Sequence, residues 1–122
     1  ISACLVGSEM CIRDRLYGGT AQGIGGLIHE RVVYDETGQP QATTLMDYLL
    51  PSSLDVPALR IEYMETRSPD TPLGAKGVGE SGTCFAPAAV ATAVADALNV
   101  DVERFAFSPS DVHALLVKAG IA

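Results

Sequence analysis

The chain is poor in the residues that build several common kinds of site. Its 122 residues include no tryptophan, three cysteines and two histidines, and fifteen acidic residues outnumber eight basic ones. The net charge of -7, without a cluster of lysines and arginines, excludes the dense positive surface that nucleic acids and anionic membranes require. We therefore expect a small-molecule substrate and protein partners, and no nucleic acid.

Long apolar runs are also absent from the sequence. No stretch of about 18 apolar residues is found, so we expect no membrane span. The first residues lack the charged and apolar regions of a secretory signal, which favours a cytoplasmic protein. His29 and His113 have no second histidine or cysteine at ligand spacing, so no metal ligand is predicted among the side chains.

The beginning of the chain looks foreign to the rest. Residues 4–14 read CLVGSEMCIRD, which looks like the translation of a synthetic adapter DNA used in sequencing libraries. We interpret residues 1–15 as an adapter-derived artefact that is not native, and leave them out of the fold prediction. Residues 16–122 are then one unit, which we interpret as the C-terminal part of a larger protein. Their single cysteine, Cys84, is more typical of a small buried hydrophobic residue than of a nucleophile.

The first native segment has a helical pattern but an unusual number of glycines. In residues 16–31 the apolar side chains are spaced as on a helix, yet Gly23, Gly25 and Gly26 lie among them. Each glycine costs about 1 kcal/mol relative to alanine inside a helix. Either the segment is partly a loop, or another part of the protein packs within backbone distance of it.

The remaining elements predict an α+β fold. Short strands are predicted over residues 31–35, 59–65 and 102–107, and residues 59–65 alternate most clearly between apolar and polar side chains. Pro87 to Leu98 reads as an alanine-rich helix that Asn99 can end. Residues 108–111 carry the start signal of a last helix over residues 112–119, ended by Gly120. The fold class is therefore short strands with a glycine-rich loop leading into an alanine-rich helix.

That loop, Gly74 to Gly82, has the sequence GAKGVGESG. Its four glycines allow the backbone to approach a bound group closely, and it holds Lys76 and Glu80 near the start of a helix. Such a carboxylate is a candidate general base. Alternatively, Glu80 only caps the helix of a non-catalytic α+β interaction module. Gly77 to Gly82 also matches G-x-G-x-x-G, but ten residues with two prolines separate it from the preceding strand, which leaves only a weak dinucleotide-binding loop.

Three segments, in this order and spacing, resemble the C-terminal part of the molybdenum-binding large subunit of the xanthine dehydrogenase and aerobic carbon monoxide dehydrogenase family. They are Gly19 to Gly25 (GTAQGIG), Leu45 to Tyr48 (LMDY) with Pro51, and Pro72 to Gly82 (PLGAKGVGESG). The resemblance covers essentially all of residues 16–122. It implies a molybdopterin-binding domain and molybdenum hydroxylase chemistry on an aldehyde, an N-heterocycle or a similar substrate, or the oxidation of carbon monoxide.

The resemblance also implies roles for individual residues and for partners. Glu80 would be the catalytic general base. Contacts to the cofactor would come from a set of residues in the two glycine-rich segments: Gln22, Gly23, Lys76, Gly77, Val78 and Gly79. The cofactor would be molybdenum on molybdopterin, often in its cytosine dinucleotide form. Electrons would leave through [2Fe-2S] clusters to FAD, both on partner subunits or domains.

The family's upstream glycine-rich segments, and the arginine or aromatic residues that choose the substrate, do not occur in these 122 residues. We therefore expect the rest of the large subunit to complete the pocket. By itself, the chain is predicted to be inactive and to bind no molybdenum.

Overall fold

The structure is a computed structural model that describes residues 2–103 and 107–121. These residues form three α-helices. Helix α1 spans Ser2–Ile28, α2 spans Ser81–Leu98 and α3 spans Pro109–Lys118. Between α1 and α2 the only helical element is a short 3-10 turn over Pro72–Gly74. The two long helices pack together, and the intervening segment lies around them.

Small residues bring α1 and α2 into close contact. The helices run in the same direction, because Gly19 lies beside Gly82 and Gly23, one turn later, lies beside Ala86. A Cβ atom added at Gly23 would stand 2.9 Å from the Cβ of Ala86, and one added at Gly82 would stand 2.6 Å from the backbone nitrogen of Thr20. Of the two explanations for these glycines, close packing holds for Gly23 and Gly25 but not for Gly26, which would meet nothing within 4 Å, and the segment is helical as far as Ile28.

A small core forms where the ends of these helices meet the segment before α3. Leu27, Ala91 and Phe107 are buried together. The backbone N–H of Phe107 donates to the carbonyl of Leu27 at 3.1 Å, which ties this segment to the last turn of α1. The predicted strand over residues 102–107 falls partly on residues 104–106, which lie outside the described residues.

Helix α3 confirms the start signal read from the sequence. Ser108 is its N-cap, and the side chains of Ser108 and Asp111 each accept a hydrogen bond from the other's backbone N–H. This reciprocal pair satisfies two of the donors that a helix start leaves free. The Arg31 guanidinium forms an ion pair with Asp111, which connects α3 to the chain just after α1. Gly120 follows the helix with a φ of 71°.

Helix α2 begins at Ser81, although the sequence predicted a start at Pro87. Pro87 is inside the helix, and because proline has no N–H, the carbonyl of Thr83 loses its helical partner. The ring of Pro87 lies against Gly23, at 3.1 Å from the place of a Cβ there. The end of α2 was predicted correctly, since Asn99 follows it in the left-handed conformation with a φ of 51°.

The predicted strands are wrong for the part of the chain that the structure describes. There, pairing is limited to one isolated bridge between Tyr34 and Pro40. Residues 59–65 carry no regular secondary structure, and residues 60–65 make no backbone hydrogen bond to another described segment. Their anchor is Leu59, whose carbonyl accepts a hydrogen bond from the Tyr17 hydroxyl. An alternating pattern gives a segment two faces, but a strand also needs a second strand to pair with. The described part of the chain is therefore helical rather than α+β.

The segment between α1 and α2 is held against the end of α1. The hydroxyl of Tyr48 donates to the carboxylate of Glu30. Pro51 packs on Gly25, where an added Cβ would stand 2.6 Å from the proline ring. The LMDY segment and Pro51 therefore lie beside α1, the helix that contains the GTAQGIG segment.

The outward side of α2 departs from two expectations. Cys84, expected to be buried, is exposed, and its neighbour Phe85 is 72% exposed. Among the described residues, one helix is long enough and apolar enough to cross a membrane, by length and composition only, and this helix is α2. The sequence analysis predicted no such segment. One helix of this kind is weak support for a span, since core helices of soluble proteins meet the same criterion.

Candidate functional site

Glu80 occupies the N-cap position of α2. Its backbone carbonyl accepts the N–H of Cys84 at 3.1 Å. The carboxylate itself is exposed, makes no capping hydrogen bond and forms no ion pair within the described residues. The alternative role of Glu80 as a helix cap therefore holds for its backbone but not for its side chain. The carboxylate stays available for chemistry.

The loop before Glu80 presents free backbone donors. Within residues 2–103 and 107–121, none of the N–H groups of residues 76–79 donates to a protein acceptor. A Cβ atom added at Gly77 or at Gly79 would meet nothing within 4 Å. The loop is nevertheless anchored, because the Val78 carbonyl accepts both the N–H and the hydroxyl of Ser81, at 3.3 Å and 2.9 Å. Fixed donors beside open space suit the oxygens of a pterin or a phosphate.

Lys76 points to the segment that leads into the loop. Its ammonium donates to the hydroxyl of Thr66 at 2.8 Å, and no Lys76–Glu80 ion pair exists among the described residues. The base of the loop is closed by a turn in which the N–H of Ser68 donates to the carbonyl of Gly74 at 3.2 Å. The Lys76 ammonium is therefore held by the segment that leads into the loop and not by Glu80.

The two glycine-rich segments meet at one depression. Gln22, which is exposed, and Gly79 both line an open cavity of about 510 Å³. The other lining residues are Gly18 and Gly19, together with Cys11, Asp14 and Arg15 from the segment that the sequence predicts to be an artefact. The structure therefore brings together one residue from each segment that the sequence analysis singled out. Gly23 does not line this depression: it is buried against α2 and, with Gln22 and Thr83, lines a second cavity of about 230 Å³.

Sequence reasoning missed Gly82 and Thr83 as structural determinants of this site. The Thr83 hydroxyl donates to the carbonyl of Gly19 at 3.2 Å, so the first turn of α2 is tied directly to α1. The signal was present as small residues one turn apart, Gly19 with Gly23 and Gly82 with Ala86. Residues four positions apart lie on one face of a helix.

Two acidic residues outside the loop, Asp35 and Asp55, serve local turns. The hydroxyl of Thr37 lowers the pKa of Asp35, and that of Ser52 lowers the pKa of Asp55. No group of three histidine, cysteine or acidic side chains that could hold a metal ion occurs in the described ranges. Glu80 therefore differs from these carboxylates in having no local partner.

Comparisons with known proteins give the family. Residues 6–57 match the molybdopterin cofactor-binding domain family. The chain is 43% identical, over 108 residues, to the 6-hydroxypseudooxynicotine dehydrogenase complex subunit gamma of Paenarthrobacter nicotinovorans, covering 86% of this chain and 14% of that protein. The resemblance to the molybdenum hydroxylase large subunits is confirmed. The carbon monoxide dehydrogenase large chain of Afipia carboxidovorans is 35% identical over 74 residues, which are 61% of this chain and 9% of that one.

The fold is that of part of a molybdopterin-binding domain. The crystal structure of quinoline 2-oxidoreductase from Pseudomonas putida 86 superimposes with a TM-score of 0.83 at 43% identity, over 90% of this chain and 14% of that one. The chain therefore spans 9–14% of the length of these homologues. The family match begins at residue 6 and α1 continues across residue 15. That residues 1–15 are an artefact and residues 16–122 a C-terminal part stays a prediction.

Proposed function

We propose that the chain is part of the large subunit of a molybdenum hydroxylase, in which Glu80 is the general base. The observation that carries this proposal is the free carboxylate at the start of α2. It directly follows Gly79, which lines the same depression as Gln22. A base needs such a carboxylate, unpaired and beside the reacting group.

The residues present fit the cofactor that the homologues imply. The free N–H groups of residues 76–79 and the exposed amide of Gln22 are donors without protein acceptors that could hold molybdopterin, including its cytosine dinucleotide form. When bound, the cofactor supplies the redox centre for hydroxylation with oxygen from water. Gly23 contributes indirectly, because it allows α2 to approach α1. [2Fe-2S] and FAD groups on partner subunits agree with relatives named as a complex subunit and a large subunit.

Glu80 would take a proton from the water-derived oxygen as that oxygen bonds to an electron-poor carbon of the substrate, while the carbon would lose its hydrogen as hydride, whose two electrons the bound cofactor would accept. Its position at the end of a glycine loop leaves the carboxylate accessible from the cofactor side. Positioned general bases contribute about 10²- to 10⁴-fold to a rate.

An N-heterocycle is the substrate class we propose. The nicotine 6-hydroxylase large subunit is 42% identical and the quinoline 2-oxidoreductase 43% identical to this chain, and both names state an N-heterocyclic substrate. The carbon monoxide dehydrogenase large chains are 35% identical. We propose a cytoplasmic location for the complete enzyme.

The test is Glu80→Gln in the complete enzyme complex. We expect the molybdenum content per subunit to stay unchanged and turnover of an N-heterocycle such as quinoline to fall by about 10²- to 10⁴-fold. Glu36→Gln is the matched control, since Glu36 is an exposed carboxylate in the turn after residue 35. Near-normal turnover by Glu80→Gln would refute the base assignment.

A further inference from the structure

The start of α2 cannot move closer to α1 or accept a larger residue. A Cβ atom at Gly82 would stand 2.6 Å from the nitrogen of Thr20, 2.8 Å from the carbonyl carbon of Gly19 and 3.0 Å from the carbonyl oxygen of Leu16. All three are backbone atoms, which cannot turn aside as the end of a side chain can. Glycine at this position therefore sets how near the two helices come.

Thr83 makes a directional hydrogen bond across this helix contact. Its hydroxyl donates to the Gly19 carbonyl at 3.2 Å. Its own carbonyl, which Pro87 leaves without a helical donor, lies against Gly23, at 3.2 Å from the place of a Cβ there. Close packing limits distance only, whereas a hydrogen bond also favours one alignment. Thr83 therefore fixes the register of α2 along α1.

The contact lies next to the two site residues. Glu80 is three residues before Thr83, which is less than one helical turn. The residues between them are held, since Ser81 bonds to the Val78 carbonyl and Cys84 to the Glu80 carbonyl. On α1, Gln22 precedes Gly23. A shift of α2 at Thr83 would therefore move Glu80 relative to Gln22.

We propose that Thr83 is a positioning residue whose hydrogen bond to Gly19 fixes Glu80, at the start of α2, relative to Gln22 on α1. The inference rests on the proposed function, because Glu80 is taken as the base. Thr83 acts through the backbone of α2 and need not touch substrate or cofactor. A displacement of about 1 Å in a catalytic group can cost about 10²-fold in rate.

The experiment compares Thr83→Val with Thr83→Ser in the complete enzyme complex. Valine keeps the shape and removes the hydroxyl, whereas serine keeps the hydroxyl. We expect Thr83→Val to lower kcat by about 10- to 10²-fold, with KM and molybdenum content unchanged, and Thr83→Ser to retain the wild-type kcat. As a readout apart from activity, amide hydrogen exchange over residues 78–84 should be faster in Thr83→Val than in Thr83→Ser.

Thr92→Val is the matched control. Thr92 is also on α2, but its hydroxyl donates to Ala88 of the same helix at 2.8 Å. We expect its kcat and the exchange over residues 78–84 to match the wild type. Should Thr83→Val fail to fold, Thr83→Ala gives the same comparison with serine.

Two results would overturn the inference: wild-type kcat and exchange in Thr83→Val, or equal losses in Thr83→Val and Thr83→Ser. If either result is found while Glu80→Gln loses turnover, the inference about Thr83 is wrong but the proposed function is supported. Near-normal turnover in Glu80→Gln refutes the proposed function, while the exchange comparison still reports on the contact itself.

Discussion

Gly23 and Gly26, three residues apart on α1, provide a pair of substitutions that isolates the packing of α1 on α2. Alanine at either position should gain about 1 kcal/mol of helix propensity. At Gly26 the new Cβ meets nothing within 4 Å, so this gain should be retained. At Gly23 it would stand 2.9 Å from the Cβ of Ala86 and 3.1 Å from the ring of Pro87. Neither neighbour can rotate away, and overpacking of this kind costs about 1–3 kcal/mol.

The opening free energy of the α1–α2 contact should therefore be lower in Gly23→Ala than in Gly26→Ala by about 1–3 kcal/mol. Native-state hydrogen exchange over residues 16–28 and 81–91 of the complete large subunit measures this difference, because it reports local opening. Gly26→Ala should be as stable as the wild type or more so. Equal effects of the two substitutions would refute the close contact at Gly23.

Two further predictions follow from the cap of α3 and from the incomplete pocket. The Ser108 hydroxyl lowers the pKa of Asp111 from its usual 3.8, so the folded state gains stability above pH 3.8 and loses it as the pH falls through the lowered pKa. Ser108→Ala should weaken this acid dependence, measured by amide exchange of residues 109–118 between pH 5 and pH 3, and an unchanged dependence would contradict it. The 122-residue chain expressed alone should contain no molybdenum by elemental analysis, and a stoichiometric content would show that it holds the cofactor unaided.

Features that depend on neighbouring residues in the chain were predicted correctly from the sequence. Features that depend on contact with a distant segment were not. The cap of α3 was predictable because Ser108 and Asp111 satisfy each other within one turn. The strand over residues 59–65 was not, because its alternation says nothing about which segment would pair with it. The start of α2 was missed because Pro87 suits a first turn, whereas the true start depends on the contact of Gly82 with α1.

The site shows the same division. Glu80 and the loop residues 76–79 were identified from the composition of the loop and from the family resemblance. Gln22 was assigned to the same site, and the structure gives it a depression in common with Gly79. Gly23 was assigned to the cofactor from the family resemblance; in the structure it packs against Ala86 of α2, and its contact with the cofactor stays a prediction. A sequence pattern cannot tell which face of a glycine-rich helix meets another helix when several faces carry glycine.

Glycine therefore has two separate uses in this chain, and the surroundings of each residue distinguish them. At Gly23 and Gly82 a Cβ would collide with the opposite helix, so these glycines set the approach of α2 to α1. At Gly77 and Gly79 a Cβ would meet only open space, and the adjacent N–H groups have no acceptor among the described residues. The segment that matches G-x-G-x-x-G combines both uses, since its last glycine is inside α2. Because Glu80 lies between the open loop and the close contact, its position depends on α1 while its carboxylate stays free.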